Sequence, residues 1–158
     1  MGLSEKKRDL LIKLFGPENV QEEDYERCGF HLRLSLSPVE LAPLGNSMRD
    51  MGFVLEYITA VDRITHLELV YMFGSFEVLC RIKVQVATAK GEMVPSLMGF
   101  FRAADWHERE VYDMFGQSFA GRDRIERILL PDDADYHPLL KDFFSKESDF
   151  YEAFDSDG

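Results

Sequence analysis

Residues 106–116, Trp106-His107-Glu108-Arg109-Glu110-Val111-Tyr112-Asp113-Met114-Phe115-Gly116, place acids, a base, an imidazole and aromatic rings in one short segment. The pair His107-Glu108 would suit zinc hydrolysis if a second histidine stood one turn later, so that both imidazoles faced one ion. That position holds Val111, and the motif fails. Of the other histidines, His31 and His66 are expected on strands as surface groups, and His137 stands alone near the C-terminus. Neither standard glycine-rich phosphate loop is present. Asp132, Asp133 and Asp135 have the look of a calcium loop but lack its glycine at the sixth place and its glutamate at the twelfth, so a solvated acidic loop is expected. No serine or cysteine stands in a nucleophile elbow. Cys28 and Cys80 belong to no metal-binding cluster and read as two reduced, half-buried thiols. An iron–sulfur cluster would call for about four thiolates. The chain therefore offers no self-contained active site.

What remains is the segment itself, read as a helix. Asp105 is expected to cap it, with Glu108 three residues on closing a capping box, and Gly116 to stop it in the left-handed conformation. Arg109 and Asp113 lie one turn apart and could pair along the helix, with Trp106 on their face. Val111, Met114 and Phe115 line another face. A charged strip between two apolar flanks is awkward in water. It suits a helix wedged between its own sheet and a second subunit, with the charges paired across the contact.

The elements that must position this helix follow from periodicity. Ser4 can cap a first helix to Phe15, with Leu10, Leu11, Leu14 and Phe15 on one face and Gly16-Pro17 as the stop. An acidic loop spans Glu18 to Glu26. Phe30, Leu32, Leu34 and Leu36 alternate with polar residues, which is the mark of a half-buried strand. Ser37-Pro38-Val39-Glu40 starts a helix by cap, proline and capping box, and that helix runs towards Gly52. Three strands are expected at Phe53–Val61, Leu67–Phe73 and Phe76–Ala87, with Gly74-Ser75 as a hairpin turn. Ser96 is expected to cap a short helix through Phe101. Beyond Phe119 the chain reads as extended, and after Asp142 it mixes acids with Phe143, Phe144, Phe150, Tyr151 and Phe154, a composition suited to docking. The sum is an α+β protein: a two-layer domain with a mixed, largely antiparallel sheet over residues 1–130, then an extended arm and acidic tail over residues 131–158.

Bulk properties narrow the partners. The 158 residues suit one domain, and 46% hydrophobic residues support a folded core. Thirteen phenylalanines exceed what a modest core needs, so some are expected at interfaces. A net charge of -11 opposes binding to nucleic acid or directly to anionic lipid. No apolar run nears the roughly 20 residues that span a bilayer. The basic start, Lys6-Lys7-Arg8, is not followed by an apolar signal core, and Lys6 stands where a myristoylation signal wants Ser or Thr. Any membrane association is expected through other proteins.

Three segments, in order, carry a resemblance. Glu108-Arg109-Glu110, then Asp113-Met114-Phe115-Gly116, then Phe119, Gly121 and Arg127-Ile128-Leu129-Leu130-Pro131-Asp132-Asp133 follow one signature. Ile58-Thr59-Ala60-Val61-Asp62 matches a strand ending in Ala-Val-Asp, and His137-Pro138-Leu139-Leu140-Lys141-Asp142-Phe143 matches a His-Pro-Leu-Arg-Lys-Asp-Tyr arm. On these the chain resembles the 30 kDa subunit family of NADH-quinone oxidoreductase, respiratory complex I, from about Phe53 onward. It departs where Arg122-Asp123 replaces the usual His-Pro, Glu126 a base, and Leu140 the arginine of the arm. The resemblance implies a two-layer α/β fold with a mixed sheet. It further implies a non-catalytic subunit of the hydrophilic arm, peripheral on the cytoplasmic side of the cell membrane. Such a subunit holds no cofactor; NAD, FMN, iron–sulfur clusters and quinone belong to its partners, the large quinone-site subunit and the iron–sulfur subunits. The residues it points to for the partner contact are Trp106, Glu108, Arg109, Glu110, Asp113 and Phe115 on the helix, with Arg127, His137, Pro138, Lys141 and Asp142 on a clasping arm. Related membrane complexes fed by hydrogen, formate or a reduced deazaflavin hold similar subunits and form the alternative.

Overall fold

Alternating apolar residues build a five-stranded sheet in the computed structural model, which describes residues 3–122 and 125–143. The strands are β1 (Val20–Glu22), β2 (Leu32–Leu36), β3 (Phe53–Asp62), β4 (Leu67–Ser75) and β5 (Cys80–Thr88), in spatial order β1-β2-β5-β4-β3. All neighbours are antiparallel except β2 and β5, which run parallel with Leu34 opposite Val84. The sheet is thus mixed and largely antiparallel, as expected. Among the described residues four α-helices accompany it: α1 (Leu3–Phe15), α2 (Tyr25–Cys28), α3 (Leu41–Asp50) and α4 (Ala104–Phe115). Two short strands, β6 (Val94–Pro95) and β7 (Phe119–Ala120), pair in parallel on either side of α4 in sequence. No described helix is long and apolar enough to cross a membrane.

The period of two puts Leu32, Leu34, Ile82, Val84, Val86, Leu69, Tyr71 and Phe73 on one face, where they form a single core with residues of α1, α3 and α4. The opposite face mixes charged and polar side chains such as Arg81, Lys83 and Gln85 with the buried Val70 and Met72, which stand opposite Gln85 and Lys83. There Glu56 of β3 reaches over β4 to hydrogen-bond the Arg81 guanidinium of β5 at 3.1 Å. The reach passes above Gly74, where a Cβ would collide with Glu56 Oε1. Gly74 is therefore a crossing point inside β4, and the hairpin turn falls at 76–79, four residues being needed beyond the strand. Phe76, expected on β5, stands 91% exposed in that turn.

Other expectations shift by similar local causes. The buried seam of α1 is Lys7, Leu11 and Phe15, while Leu10 and Leu14 are exposed. The Lys7 ammonium lies 4.7 Å from the centre of the Phe53 ring and donates to Ser75 Oγ, so a cation takes a core position by snorkelling to a polar edge. The Ser4 side chain lies outside the described residues. The acidic loop contains β1 and the one-turn α2, which Asp24 caps and Gly29 ends at φ 78°. His31 precedes β2 and His66 lies in the β3–β4 turn, so neither sits within a strand. Ser37 and Glu40 form the expected capping box, through a 3₁₀ turn that leads into α3. Segment 96–101 is a turn, where Ser96 Oγ accepts from Met98 N, and not a helix. Cys28 is exposed and Cys80 buried. The aromatic tail beyond Phe143 lies outside the described residues.

Candidate functional site

Helix α4 lies between the sheet and the chain that follows it. Its N-cap is Ala103, whose methyl group cannot cap; Asp105, expected to cap, lies inside the first turn and pairs with Arg122, and Glu108 closes no capping box. Glu108 points inward and is fully buried. Its Oε1 accepts from Leu97 N at 2.7 Å, and its Oε2 accepts from Ser96 Oγ at 2.7 Å and Arg122 Nη1 at 3.0 Å. Arg122 also pairs with Asp105. Burial pushes the Glu108 carboxyl above its usual range, outweighing the hydrogen bonds and Arg122 that pull it down. Close by, Tyr71 is fully buried and its hydroxyl has no hydrogen-bond partner among the described residues. Burial, reinforced by the Glu108 charge, strongly raises its pKa.

Asp113 performs the matching task on the other side of the helix. Its Oδ2 accepts from the backbone N–H groups of Ile128, Leu129 and Leu130 at 2.8, 2.7 and 3.2 Å. Its Oδ1 accepts from Arg127 Nη1 at 3.1 Å, and Arg127 also donates to Ala134 O. Burial would raise this carboxyl, but the three amides and Arg127 prevail and hold it below the usual aspartate range. Arg109 does not pair with Asp113. It donates to the carbonyls of Glu126 and Arg127 at 2.9 Å each and stacks over Trp106 at 5.5 Å. The charges expected to be paired between subunits are thus paired within the chain: Glu108 fixes the turn before α4, and Asp113 with Arg109 fixes the segment after it. The sequence could not distinguish these cases because many of the partners are backbone amides and carbonyls, which every residue carries, and the side-chain partners Ser96, Arg122 and Arg127 lie 12 to 14 residues away.

The arm then closes over the C-terminal end of α4. His137 Nδ1 lies 2.9 Å from Asp113 O, its ring meets Tyr112 edge-on, and Leu139 N donates to Met114 O. Gly116 stops the helix at φ 72°, as expected, and a Cβ there would fall 2.8 Å from His137 Cδ2. Gly116→Ala is therefore expected to cost about 1–2 kcal/mol through the left-handed backbone alone. It should also lift His137, visible as faster amide exchange at Leu139 with the sheet unaffected. Asp62 is a residue whose role the sequence did not reveal, although it ends the Ala-Val-Asp strand. Its Oδ2 accepts from Lys90 Nζ and from Lys141 N, both at 2.9 Å, and its Oδ1 accepts from Ile64 N at 2.7 Å. It so ties together the β3–β4 turn, the segment after β5 and the arm. Burial opposes the charge, but Lys90 and the amides hold this carboxyl below its usual range. Ile64 takes φ 73°, which a β-branched residue rarely adopts, in the turn so formed.

The remaining expected contact residues divide by exposure. Trp106 is 62% exposed and Glu110 is exposed beside it, while Phe115 packs against the core. Pro138 is half-buried, and Lys141 and Asp142 are exposed. Asp132, Asp133 and Asp135 form an exposed acidic loop, as expected. Among the described residues no group of three or more His, Cys, Asp or Glu side chains is placed to hold a metal ion.

Residues 34–149 match the family model described as the respiratory-chain NADH dehydrogenase 30 kDa subunit. The NADH-quinone oxidoreductase subunit designated C from Rhodobacter capsulatus is 33% identical over 148 residues, covering 89% of this chain and 74% of that protein. The one designated C 1 from Rhizobium etli is 40% identical over 119 residues, 71% of this chain and 60% of that one. The NAD(P)H-quinone oxidoreductase subunit designated J from a Synechococcus strain is 46% identical over 76 residues, 48% of this chain and 41% of that one. A chain in the structure of the membrane-bound sulfane sulfur reductase, an archaeal respiratory membrane complex, superposes with a TM-score of 0.71 at 22% identity, over 90% of this chain and 91% of that one, and so shares the fold. The match across residues 34–149 takes in most of β2, all of β3, β4 and β5, the charged helix with its two buried carboxylates and the arm they secure, and the chain belongs to the respiratory-chain NADH dehydrogenase 30 kDa subunit family.

Proposed function

We propose that this chain is a non-catalytic subunit of the peripheral arm of a complex-I-type NADH:quinone oxidoreductase. In this reading it sits on the cytoplasmic side of the membrane and holds the large quinone-site subunit and the iron–sulfur subunits in place. NAD, FMN, iron–sulfur clusters and quinone belong to those partners. Residues 1–130 form the body and residues 131–158 the arm and tail. The observation that carries the reading is the family match over residues 34–149, which includes the signature helix. The relatives named as subunits of NADH-quinone oxidoreductase favour the NADH-linked form over the hydrogen-, formate- or deazaflavin-linked ones.

The geometry gives the expected contact residues two kinds of work. Trp106, Glu110, Pro138, Lys141 and Asp142 present surface to a partner. Glu108, Arg109, Asp113, Phe115, Arg127 and His137 act through the shape they impose, by fixing the segments on either side of α4. Arg109→Ala removes two hydrogen bonds to carbonyls and the support of the Trp106 indole. In a tagged chain it is expected to lower co-purification of the large subunit several-fold, with a matching fall in membrane quinone reductase activity. Unchanged yield together with unchanged activity would overturn the proposal.

A further inference from the structure

The tip of the β3–β4 hairpin is strained, and the strain is tied to the arm. Thr65 N donates to Arg63 O at 2.9 Å across Ile64, whose φ is 73°. Residues 63–65 thus form a γ-turn with the positive φ of its rare form. A β-branched residue is costly in this region, and such a conformation persists only where its surroundings hold it. Packing does not hold this one, since Ile64 is 68% exposed. The flanking side chains are anchored to their own neighbours: Arg63 pairs with Glu68 at 3.1 Å, and Thr65 Oγ1 lies 3.0 Å from His66 Nδ1. The amide of residue 64 itself is gripped by the Asp62 carboxylate, whose Oδ1 accepts from it at 2.7 Å.

The same carboxylate carries the arm. Its Oδ2 accepts from Lys141 N and from Lys90 Nζ, both at 2.9 Å. The group is planar and rigid, so one orientation must serve both oxygens. With Lys141 and Lys90 on Oδ2, Oδ1 is aimed at the Ile64 amide. When Lys141 N leaves, Oδ2 is opened to water and the carboxylate is free to turn towards it. Ile64 N then loses its fixed acceptor, and the residue can return to negative φ. Lys90 follows β5 and does not belong to the arm, so this opening leaves the buried Asp62 charge paired and needs no unfolding of the sheet.

We propose that Asp62 joins the arm and the hairpin tip into one two-state device. In one state the arm is attached and Ile64 is held in the strained turn; in the other the arm is released and the tip is relaxed. The strain opposes attachment, so the arm opens more readily than its hydrogen bonds alone would allow. Coupling of this kind is reciprocal. Whatever fixes the tip strengthens the hold of Asp62 on the arm by the factor with which the arm raises the population of the strained turn. The device lies within this chain and stands or falls separately from the function proposed above.

Amide hydrogen exchange on the full chain tests the link, read at Lys141 N and Ile64 N. Glycine and asparagine both accept the left-handed backbone. Ile64→Gly and Ile64→Asn are therefore each expected to slow exchange at Lys141 by about three- to tenfold. In an Asp62→Asn background, where a nitrogen replaces one acceptor oxygen, the same changes should move Lys141 by less than about twofold. In the reverse direction Gly116→Ala, which loosens the arm at its other attachment, should speed exchange at Ile64 N by the factor seen at Lys141 N. The Gly29 N–H, which donates to Tyr25 O at the end of α2, is the control and should keep its rate within about twofold in every variant. An unchanged Lys141 rate in both residue-64 variants would overturn the device and leave the strain as a property of the hairpin alone. An Ile64 amide that kept its rate in Gly116→Ala while Lys141 N was accelerated would overturn it equally. Slowing at Lys141 that persisted in full in the Asp62→Asn background would show that the link does not run through Asp62.

Discussion

Asp113→Ala is expected to destabilise the chain by about 3 kcal/mol, because it leaves the Arg127 guanidinium and three backbone N–H groups without their acceptor. For a protein of this size that is a fall in Tm of about 6–12 °C. Where the loss appears depends on how the segment 126–143 is held. The sheet and its core are built without it, whereas the arm is attached through Asp113, the end of α4 and Asp62. The arm can therefore detach as a unit, and detachment lets water reach the orphaned amides. Proteolysis should accordingly begin within residues 126–143 while β3, β4 and β5 keep slow amide exchange. Asp113→Asn keeps an acceptor oxygen for the amides but loses the charge that Arg127 needs, and it should fall between wild type and alanine. Uniform loss of protection across the sheet and arm would contradict this separation.

That two-part behaviour explains how far the sequence could be read. Local periodicity located β2, β3, β4 and α4 to within a few residues, and capping chemistry located the start of α3 and the stop at Gly116. These signals are local because each depends on neighbours along one strand or helix. The pairing of β2 with β5 is not local, and nothing in either segment specifies a parallel neighbour across 40-odd residues of chain. Gly74 shows the same limit in miniature. A glycine followed by serine reads as a turn, yet here its missing side chain makes room for Glu56 to reach Arg81. The candidate site was legible as a helix and opaque as a mechanism. Residue types pointed to Glu108, Arg109 and Asp113, but charge patterning cannot say whether a carboxylate faces another subunit or its own backbone. Asp62 was hidden for the same reason, since two of its three partners are N–H groups, of Ile64 and Lys141.

The two buried carboxylates of α4 should respond to pH in opposite senses, and Glu108 gives the second large effect. Glu108→Ala removes one of the two carboxylates that hold the buried Arg122 guanidinium, leaving Asp105 alone, and leaves the Leu97 N–H without its acceptor, so a loss of about 3 kcal/mol is expected. Glu108→Gln keeps most of the shape and isolates the charge. The folded-state carboxyl is raised above its unfolded value, so the folded chain binds the proton more readily than the unfolded one. Stability contributed by this group then increases as pH falls through the raised folded value, and the penalty of holding a buried charge is full only above it. Asp113 runs the other way: its folded value is depressed, so its contribution is full above the unfolded value of about 3.9 and is lost as pH falls through the folded one. In urea titrations between about pH 3 and pH 8, the deficit of Glu108→Gln relative to wild type should therefore grow on acidification. The deficit of Asp113→Asn should shrink below about pH 4. Deficits that moved in the same direction would show that one of the two carboxylates is not held in the environment described, and the three-amide cradle of Asp113 makes Glu108 the one to re-examine.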